Sequence, residues 1–335
     1  MTNTSVPQGP PVPGGSGHGR GLIHAGRALA KARLKASAPQ LYRVLSHNAF
    51  LARFLHRADP LQEWRISIFA GADLESLRPL GTGPAVTRHD VSDAAAEYVA
   101  DPFLVLAGGT WHLFFEVLNA RRNKGEIAFA TSDDLLQWQY RGIVLREPYH
   151  LSYPAVFSHE GAWYMVPESG EASAVWLYRA EAFPWVWRRH RRLLTGKVLL
   201  DPTLFRHDGL WWMIVETNPN HRFDTLRLFV ATALTGPWSE HPMSPIATGD
   251  ARIARPAGRA IIRNGRPIRF AQNCADSYGA SVAAFEMAEL TPTTYREERL
   301  AFALVPSPDN GFPNGMHHVD ALQLDGRWIA AVDGR

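Results

Sequence analysis

Acidic residues recur in this sequence next to a proline or at the end of an aromatic segment. Asp101 and Asp201 each stand directly before a proline, and Glu116, Glu168 and Glu216 end the segments FFE, VPE and VE. Two carboxyl groups can act as general acid and general base, as hydrolysis or transfer of a glycosyl unit requires. That chemistry needs side chains remote in sequence to meet in one cavity.

A repeat of roughly fifty residues could bring these side chains together. The aligned units are VADPFLVLAGGTWHLFFE (99–116), LSYPAVFSHEGAWYMVPE (151–168), LLDPTLFRHDGLWWMIVE (199–216) and IARPAGRAIIRNGRPIRFAQ (253–272). Pro102, Pro154, Pro202 and Pro256 are separated by 52, 48 and 54 residues. In each unit an apolar strand with proline at its first position meets a Gly-containing turn and an aromatic-rich strand, which predicts a β-hairpin.

The alternating segments after each hairpin predict two further strands, so that each unit forms the four-stranded blade of a β-propeller. The final unit, 317–334, supplies only two strands, and 63–80 has the pattern of the two that are missing. Together they complete one blade and remove the open edges of the array. We therefore predict an all-β fold, a five-bladed β-propeller over residues 61–335 whose closing blade is shared by N- and C-terminal strands.

The first sixty residues differ in composition from the repeats. Residues 1–20 are rich in Pro, Gly and Ser, which predicts disorder. Residues 21–60 space apolar groups among basic ones, which predicts a helical, amphipathic extension interrupted at Pro39. The basic part, 21–57, either packs against the main domain or a protein partner, or rests on an anionic membrane surface; the residues leave both alternatives open.

Composition also narrows the class of protein. The formal net charge is only +3, and much of the excess lies in residues 20–57, so we do not expect nucleic acid as a partner. The single cysteine, Cys274, excludes an intramolecular disulfide, and neither a membrane span nor a secretory signal is apparent. We predict a cytoplasmic protein, peripheral to the membrane if residues 21–57 bind lipid.

The innermost strands of a propeller point their leading ends at one mouth of the central channel, so the residues at the X-Pro steps should meet there. The converging set is Asp101, Tyr153, Asp201 and Arg255, with His317, His318 or Asp320 from the last unit and Glu116, Glu168, Glu216 and Gln272 from the second strands. One such acid usually caps a turn or is solvated. Five at equivalent positions predict an acidic axial cleft, because gathered like charges need a cation or a ligand.

The blade pattern resembles the arabinanase, β-xylosidase and invertase group of propellers. REPYHLSYPAVF, LLDPTLFRHDG and AQNCADSYG look most like the N-terminal propeller of glucosamine inositolphosphorylceramide transferases and its stand-alone bacterial relatives, over roughly residues 63–334. In the glycosidases of this group a first-blade Asp is the general base, a third-blade Asp tunes the acid, and a fourth-blade Glu is the acid. The resemblance implies that Asp101 is the base and Asp201 the tuning residue, whereas Arg255 stands where the acid is expected.

Arginine cannot supply this acid, because it stays protonated in proteins. Either Glu216 or Glu168 takes the role with a raised pKa, or the site performs different chemistry. Arg255 would suit the carboxylate or phosphate of a uronic acid, a sugar phosphate or a lipid headgroup. The residues expected to contact substrate are Glu116, His150, Tyr153, Arg255, Gln272 and His317.

The sequence thus favours a carbohydrate-active protein of glycan or glycolipid metabolism, glycosidase-like or glycosyl-transferring, that binds a sugar, glycan or glycolipid headgroup. The alternative is a non-catalytic glycan-binding accessory propeller in polysaccharide or glycolipid biosynthesis; protein scaffolding ranks last because it uses none of the acids. No metal or cofactor is expected. His317 and His318 lack the spacing of a helical metal site, and a calcium ion held by Asp101 and the glutamates is the weaker alternative.

Overall fold

A computed structural model describes residues 63–275 and 277–335, and the regular secondary structure in these ranges is almost wholly β-strand. The predicted extension, 1–20 and 21–60, lies outside the described residues. The helices in the described ranges are the short 3₁₀ turns Arg88–Asp90, Gly170–Ala172 and Pro308–Asn310. None of them has the length and apolar character needed to cross a membrane.

The strands form five antiparallel sheets, which are the blades. Blade I contains β3 (Ala96–Ala107), β4 (Thr110–Asn119), β5 (Lys124–Ser132) and β6 (Gln139–Leu145). Blade II contains β7 (Ser152–His159), β8 (Ala162–Glu168), β9 (Ala174–Ala182) and β10 (Val186–Thr195). Blade III contains β11 (Leu200–His207), β12 (Leu210–Glu216), β13 (Thr225–Ala231), β14 (Ser239–Glu240) and β15 (Ala247–Thr248).

In blade IV, two short innermost strands pair with one longer strand. Its strands are β16 (Arg255–Pro256), β17 (Ile261–Arg263), β18 (Arg266–Gln272), β19 (Val282–Leu290) and β20 (Tyr295–Leu304). Blade V contains, from the axis outward, β21 (Met316–Leu324), β22 (Arg327–Gly334), β1 (Arg65–Gly71) and β2 (Arg78–Pro79).

The closing blade takes its strands from both ends of the propeller, as predicted. β22 pairs with β1 from Gly334 opposite Arg65 to Trp328 opposite Gly71. Contacts of β3 with β7, β7 with β11, β11 with β16, β18 with β21 and β21 with β3 complete the ring. The prediction of an all-β, five-bladed propeller is therefore confirmed.

The same two-residue turn closes the first hairpin of every blade. Both residues of each turn have positive φ, between 48° and 82°, in Gly108-Gly109, Glu160-Gly161, Asp208-Gly209, Asn264-Gly265 and Asp325-Gly326. Positive φ at both positions is what a type I′ turn requires, and this turn matches the twist of paired strands. The glycine in every repeat is thus set by the backbone conformation of the turn.

The prolines do not open their strands, and in this detail the expectation was wrong. β3 begins at Ala96, well before Pro102, while Pro154 and Pro202 are the third residues of β7 and β11. Each of these strands is the innermost strand of its blade, where one side of the backbone has no ladder partner. Proline therefore costs no ladder hydrogen bond there, even within the strand.

A β-bulge occurs at the X-Pro step of blades I to III. In blade I the pairing jumps from Ala100 opposite Glu116 to Phe103 opposite Phe114, and blades II and III show the same shift. The residue before proline has a positive φ at each bulge, 53° at Asp101, 49° at Tyr153 and 51° at Asp201. Such a bulge re-aims a side chain out of the regular pleat, in the same way in three blades.

An ion pair between partly buried Arg259 and fully buried Asp320 joins four blades at the axis. Arg259 Nε donates to Asp320 Oδ1 at 2.8 Å, and Arg259 Nη2 donates to the carbonyls of Leu104 and Val156, both at 3.2 Å. Asp320 Oδ2 accepts the N–H of Leu104 at 2.6 Å. Asp320, one of the three candidates from the last unit, is therefore committed to ring closure.

Blades IV and V approach each other most closely at Gly258. This residue has a φ of +124°, and a Cβ added to it would lie 1.8 Å from the carbonyl oxygen of Val319. The N–H of Val319 donates to the carbonyl of Ala257 at 2.8 Å, so a backbone hydrogen bond joins the two segments at this point. Only glycine fits both the conformation and the contact.

Gly258→Ala should lower the free energy of unfolding by about 3 kcal/mol or more, because the added methyl group forces two bonded backbones apart. Gly161→Ala is the control, since Gly161 also has a positive φ of +76° but open space around its Cβ. That change should cost about 1–2 kcal/mol. Urea unfolding monitored by tryptophan fluorescence compares them, and equal losses would show that backbone strain alone makes Gly258 necessary.

Candidate functional site

Side chains at the mouth of the channel accept hydrogen bonds from the next blade. Asp333 Oδ2 accepts the N–H of Asp101 at 2.8 Å, and Asp101 Oδ2 accepts the N–H of Tyr153 at 3.2 Å. Sequence reasoning missed Asp333. A signal was present, because the second strand of the last unit ends in VD where the other units end in an acid or Gln272.

Asp101 has the electrostatic environment of a group that exchanges protons near neutral pH. It is only 8% exposed, and burial raises its pKa to about 7; His317 opposes the rise, and the charges of Asp201 and Asp333 add to it. Asp101 Oδ1 lies 3.8 Å from His317 Nε2 and 3.6 Å from His318 Nδ1. A carboxyl group of this pKa can serve as a general base.

His317 is fixed between an aspartate and an indole. Its Nδ1 lies 2.6 Å from Asp333 Oδ1, and its ring stacks on Trp64 with centroids 4.0 Å apart. Burial disfavours the imidazolium, but Asp333 and Asp101 outweigh burial and raise the pKa of His317. Nε2 of His317 therefore presents a proton towards Asp101.

The adjacent His318 has the opposite character. Burial lowers its pKa to about 4, and neither ring nitrogen has a hydrogen-bond partner among the residues that the structure describes. Its ring packs edge-on against Phe103 and Tyr153. Of the two histidines, His317 is the one that acts electrostatically on Asp101.

Asp201 is held by Arg255 and Gln272. Arg255 Nε donates to Asp201 Oδ2 at 2.6 Å, and Gln272 Nε2 donates to the same oxygen at 3.1 Å. Phe223 and Tyr278 flank the guanidinium with ring centroids 4.7 and 5.2 Å from its carbon. Burial favours protonation of Asp201, but Arg255 outweighs burial and lowers the pKa, so Asp201 is ionised.

Arg255 and Gln272 were both predicted to contact substrate, and both face Asp201. The guanidinium also donates to Asp201 Oδ1 at 3.4 Å, so its planar fork already has a carboxylate partner. Gln272 additionally donates to the carbonyl of Pro256 at 3.0 Å. Direct substrate contact by either residue stays a prediction.

Glu168 is the carboxyl group that is best placed to keep a proton. Burial raises its pKa well above the usual range, the charge of Asp201 adds to the rise, and Arg255 opposes it. Glu168 hydrogen bonds to Asp201, and its Oε2 lies 3.8 Å from Arg255 Nη2. A protonated Glu168 beside an ionised Asp201 is the arrangement that a general acid needs.

Glu216, the other candidate for the acid, turns into the loop that follows its strand. Its Oε1 accepts the N–H groups of Asn218 at 2.8 Å and Thr225 at 3.4 Å, and its side chain is inaccessible to solvent. Burial raises its pKa to about 7. Glu168, which has an 11% exposed side chain, is the more accessible proton donor.

Glu116 and His150 form a polar pair beside Asp101. His150 Nδ1 accepts the N–H of Gly125 at 2.9 Å, which leaves the proton on Nε2, 3.3 Å from Glu116 Oε1. Burial lowers the pKa of His150 to about 4 and raises the pKa of Glu116 well above its usual range. The His150 side chain is 27% exposed, so it can meet a ligand at the mouth.

Tyr153 uses its hydroxyl to join blades. This oxygen accepts the N–H of Gly258 at 2.7 Å, donates to the carbonyl of Gly258 at 2.8 Å, and lies 2.7 Å from Thr203 Oγ1. The hydroxyl is thereby engaged by Gly258 of blade IV and Thr203 of blade III. That Tyr153 also contacts substrate stays a prediction.

Tyr278 connects the two halves of the site, and sequence reasoning did not single it out. Its ring centroid lies 5.4 Å from that of His317 and 5.2 Å from the guanidinium carbon of Arg255. The side of the site with Asp101 and His317 and the side with Asp201 and Arg255 therefore belong to one cluster of side chains, and the charges of Asp201 and Arg255 act on the pKa of Asp101. The only sequence signal for Tyr278 is that the segment AQNCADSYG, which contains it, resembles the family.

Within the described ranges, one group of side chains could hold a metal ion. Asp101, His317 and Asp333 each offer a ligand atom, and these atoms lie within 4.8 Å of one another. This mixed nitrogen and oxygen set differs from the calcium site considered above, which consisted of Asp101 and the glutamates, and its nitrogen ligand is unlike the oxygen ligands that calcium takes.

Comparisons with known proteins agree with this fold. The family model for glucosamine inositolphosphorylceramide transferase 1, N-terminal, matches residues 58–335. Proteins named glucosamine inositolphosphorylceramide transferase 1 are 34% identical over 297 residues in Oryza sativa subsp. japonica and 33% identical over 303 residues in Arabidopsis thaliana. The matches cover 81% and 83% of this chain but 40% of each relative, so the chain spans about 40% of the length of these relatives.

Solved structures with a similar fold include two glycosidases. A thermostable family-43 glycoside hydrolase gives a TM-score of 0.58 at 12% identity, covering 76% of this chain and 90% of that protein. An exo-β-1,3-galactanase from Phanerochaete chrysosporium, solved with galactose, gives a TM-score of 0.57 at 14% identity. The match covers 72% of this chain and 60% of the galactanase chain. These likenesses show the fold, and the sequence match shows the family. The chain belongs to the family of the N-terminal domain of glucosamine inositolphosphorylceramide transferase 1.

Proposed function

We propose that this propeller is a carbohydrate-active domain of glycan or glycolipid metabolism that cleaves or transfers a glycosyl unit. One observation carries the proposal: a single cluster of interacting side chains contains Asp101, with a pKa of about 7, and Glu168, whose raised pKa keeps it protonated beside ionised Asp201. Acid and base with separated pKa values are what glycosyl transfer to water or to another hydroxyl requires. Family membership and the glycosidase-like fold support the same chemistry.

The proposed mechanism assigns one proton transfer to each carboxyl group. Asp101, ionised, takes a proton from the attacking water or acceptor hydroxyl, and His317 stabilises the carboxylate beforehand. Glu168 gives its proton to the oxygen of the leaving group as the glycosidic bond breaks. Asp201 accepts a hydrogen bond from Glu168 and so orients the acid, while Arg255 keeps Asp201 ionised.

The charges at the mouth favour a neutral glycosyl unit over an anionic one. The cations there, Arg255 and His317, are each already paired with an aspartate, at 2.6 Å in both cases. An incoming carboxylate or phosphate would meet Asp101 and Asp201, and residues 63–275 and 277–335 place no unpaired cation beside them to offset the repulsion. The expected role of Arg255 as an anion receptor is replaced in this proposal by control of Asp201.

The alternative function is glycan binding without catalysis. It is favoured by one observation, that the matched family model is an N-terminal domain and the chain spans about 40% of its named relatives. Transfer chemistry could then reside in another part of such proteins, and the cavity would only hold a glycan. A cytoplasmic location, and contact of residues 21–57 with a membrane or protein, stay predictions.

Asp101→Asn and Glu168→Gln should each reduce turnover by about a factor of 10² to 10⁴, because each removes one proton transfer and keeps the shape of the side chain. Turnover would first be sought with aryl glycosides and nucleotide sugars, using ligand-induced shifts in melting temperature to detect binding. Glu160→Gln is the control, since the Glu160 side chain is 83% exposed on a hairpin turn. Melting shifts with no turnover in the unmodified protein would establish the binding alternative.

Glu168→Gln and Asp101→Asn should respond differently to the leaving group. An aryl glycoside with an acidic phenol, such as 2,4-dinitrophenol, needs no protonation, so it should restore most of the rate lost in Glu168→Gln. It should not rescue Asp101→Asn, because activation of the nucleophile is still missing. Rates across a series of phenols test this, and an equal dependence in both variants would contradict the assigned roles.

The proton on buried Asp101 should also make stability depend on pH. Its pKa is about 7 in the folded protein against an ordinary 3.8, so between these values the folded state binds more protons and stability falls as pH rises. Asp101→Asn lacks this loss, and its stability should gain about 3 kcal/mol relative to the unmodified protein between pH 4.5 and pH 7.5. Urea unfolding at both pH values measures the difference, and a constant gap would mean that Asp101 is ionised throughout.

A further inference from the structure

A second group of chemically active side chains lies on the outer edge of blade II, apart from the acidic cavity. The outermost strand, β10, has the sequence VWRRHRRLLT, and its five central basic residues are exposed. Charge on an outer strand prevents edge-to-edge pairing between molecules. Any charged residues would protect the edge in this way, so edge protection does not explain why this strand carries four arginines.

The geometry is set by irregularities in the pairing of β10 with β9. The register shifts between Arg189 and Arg191, and shifts again between Arg192 and Leu194. Successive side chains on a regular strand point to opposite faces. Arg191 and Arg192 lie between the two shifts, opposite Leu177 and Trp176 of β9, and with Trp176 they line one open cavity of about 480 Å³.

The arginines of this strand divide into paired and unpaired members. Arg188 Nε lies 3.1 Å from Glu181 Oε2, and Arg189 forms a two-pronged ion pair with Glu147. Arg191 and Arg192 form no ion pair with the described part of the chain. The cavity therefore presents two uncompensated guanidinium groups, in contrast to the fully paired cations at the acidic mouth.

The ring of Trp176 adjoins one of the unpaired arginines, Arg192, and the paired Arg189. The guanidinium carbon of Arg192 lies 6.0 Å from the Trp176 ring centroid, and that of Arg189 lies 5.2 Å from it. Guanidinium groups bind phosphate oxygens with two parallel N–H donors, and an indole face packs on the C–H groups of a sugar or polyol ring. Together they match a phosphate group carried on such a ring.

We propose that Trp176, Arg191 and Arg192 form a second binding site, for a phosphorylated sugar or polyol. The strand β10 ends at Thr195 at the same end of the blade as Glu168, the last residue of β8. Three inter-strand spacings of about 4.8 Å place the outer strand about 14 Å from the innermost one. The second site is thus near the acidic mouth but independent of its chemistry.

The test is isothermal titration of the full chain with glucose 6-phosphate, glucose and inorganic phosphate. Glucose 6-phosphate should bind at least tenfold more tightly than either of the others. The double variant Arg191→Ala/Arg192→Ala should weaken this binding at least tenfold, and Arg191→Lys/Arg192→Lys should recover only part of it, because lysine keeps the charge and loses the fork. Arg188→Ala, on the same strand but paired with Glu181, is the matched control and should bind normally.

A second experiment distinguishes a lipid headgroup from a free sugar phosphate as the ligand. It measures how much protein sediments with phosphatidylinositol vesicles and how much with phosphatidylcholine vesicles. Binding to phosphatidylinositol that is lost in the Ala double variant supports the site with a lipid headgroup as its ligand, even if glucose 6-phosphate binds weakly. The proposal is overturned if inorganic phosphate binds as tightly as glucose 6-phosphate and phosphatidylinositol vesicles do not bind the protein. It is equally overturned if neither probe binds, or if the Ala double variant and Arg188→Ala behave alike. Asp101→Asn should leave the titration unchanged, which separates this site from the proposed catalytic function.

Discussion

The ion pair of Arg259 and fully buried Asp320 is the interaction on which the rest of the structure depends. It ties backbone groups of blades I and II to side chains from blades IV and V. Loss of either partner would leave an uncompensated charge, which is more costly than the pair is worth. With the blades held at the axis, the bulged X-Pro steps at the mouth are brought within hydrogen-bonding distance of each other, and the acidic cavity follows from that geometry.

The protonation pattern of the cavity follows from the number of cations that each acid can reach. Asp201 faces Arg255 directly and stays ionised, whereas Asp101 faces the more distant His317 and titrates near pH 7. Glu116 and Glu168 receive too little compensation, so burial keeps them protonated. Arg255 of blade IV stands where the resemblance implied a general acid. By pairing with Asp201 it keeps Asp201 ionised while Glu168 stays protonated.

Both proposed sites contain arginine, but the arginine is paired with a carboxylate in one site and has no such partner in the other. At the mouth, arginine is buried and bound to a carboxylate, so it acts on other protein groups. On β10, Arg191 and Arg192 lie at the surface without an acidic partner in the described ranges, so they are available to an outside anion. Pairing, rather than residue type, decides which arginine can bind a ligand.

The sequence alone determined the blade count, the shared closing blade and the convergence of the acids, because these follow from a repeat period, turn glycines and strand alternation, all of which are local. It also indicated Asp101, Asp201 and Glu168. Tertiary structure decided their states, since a pKa depends on burial and on neighbours from other blades, such as Asp333 and Tyr278, that no local pattern reveals. It likewise decided that Tyr153 and Arg255 are engaged by the protein itself, because hydrogen-bond partners fifty or a hundred residues away become neighbours only when the ring closes.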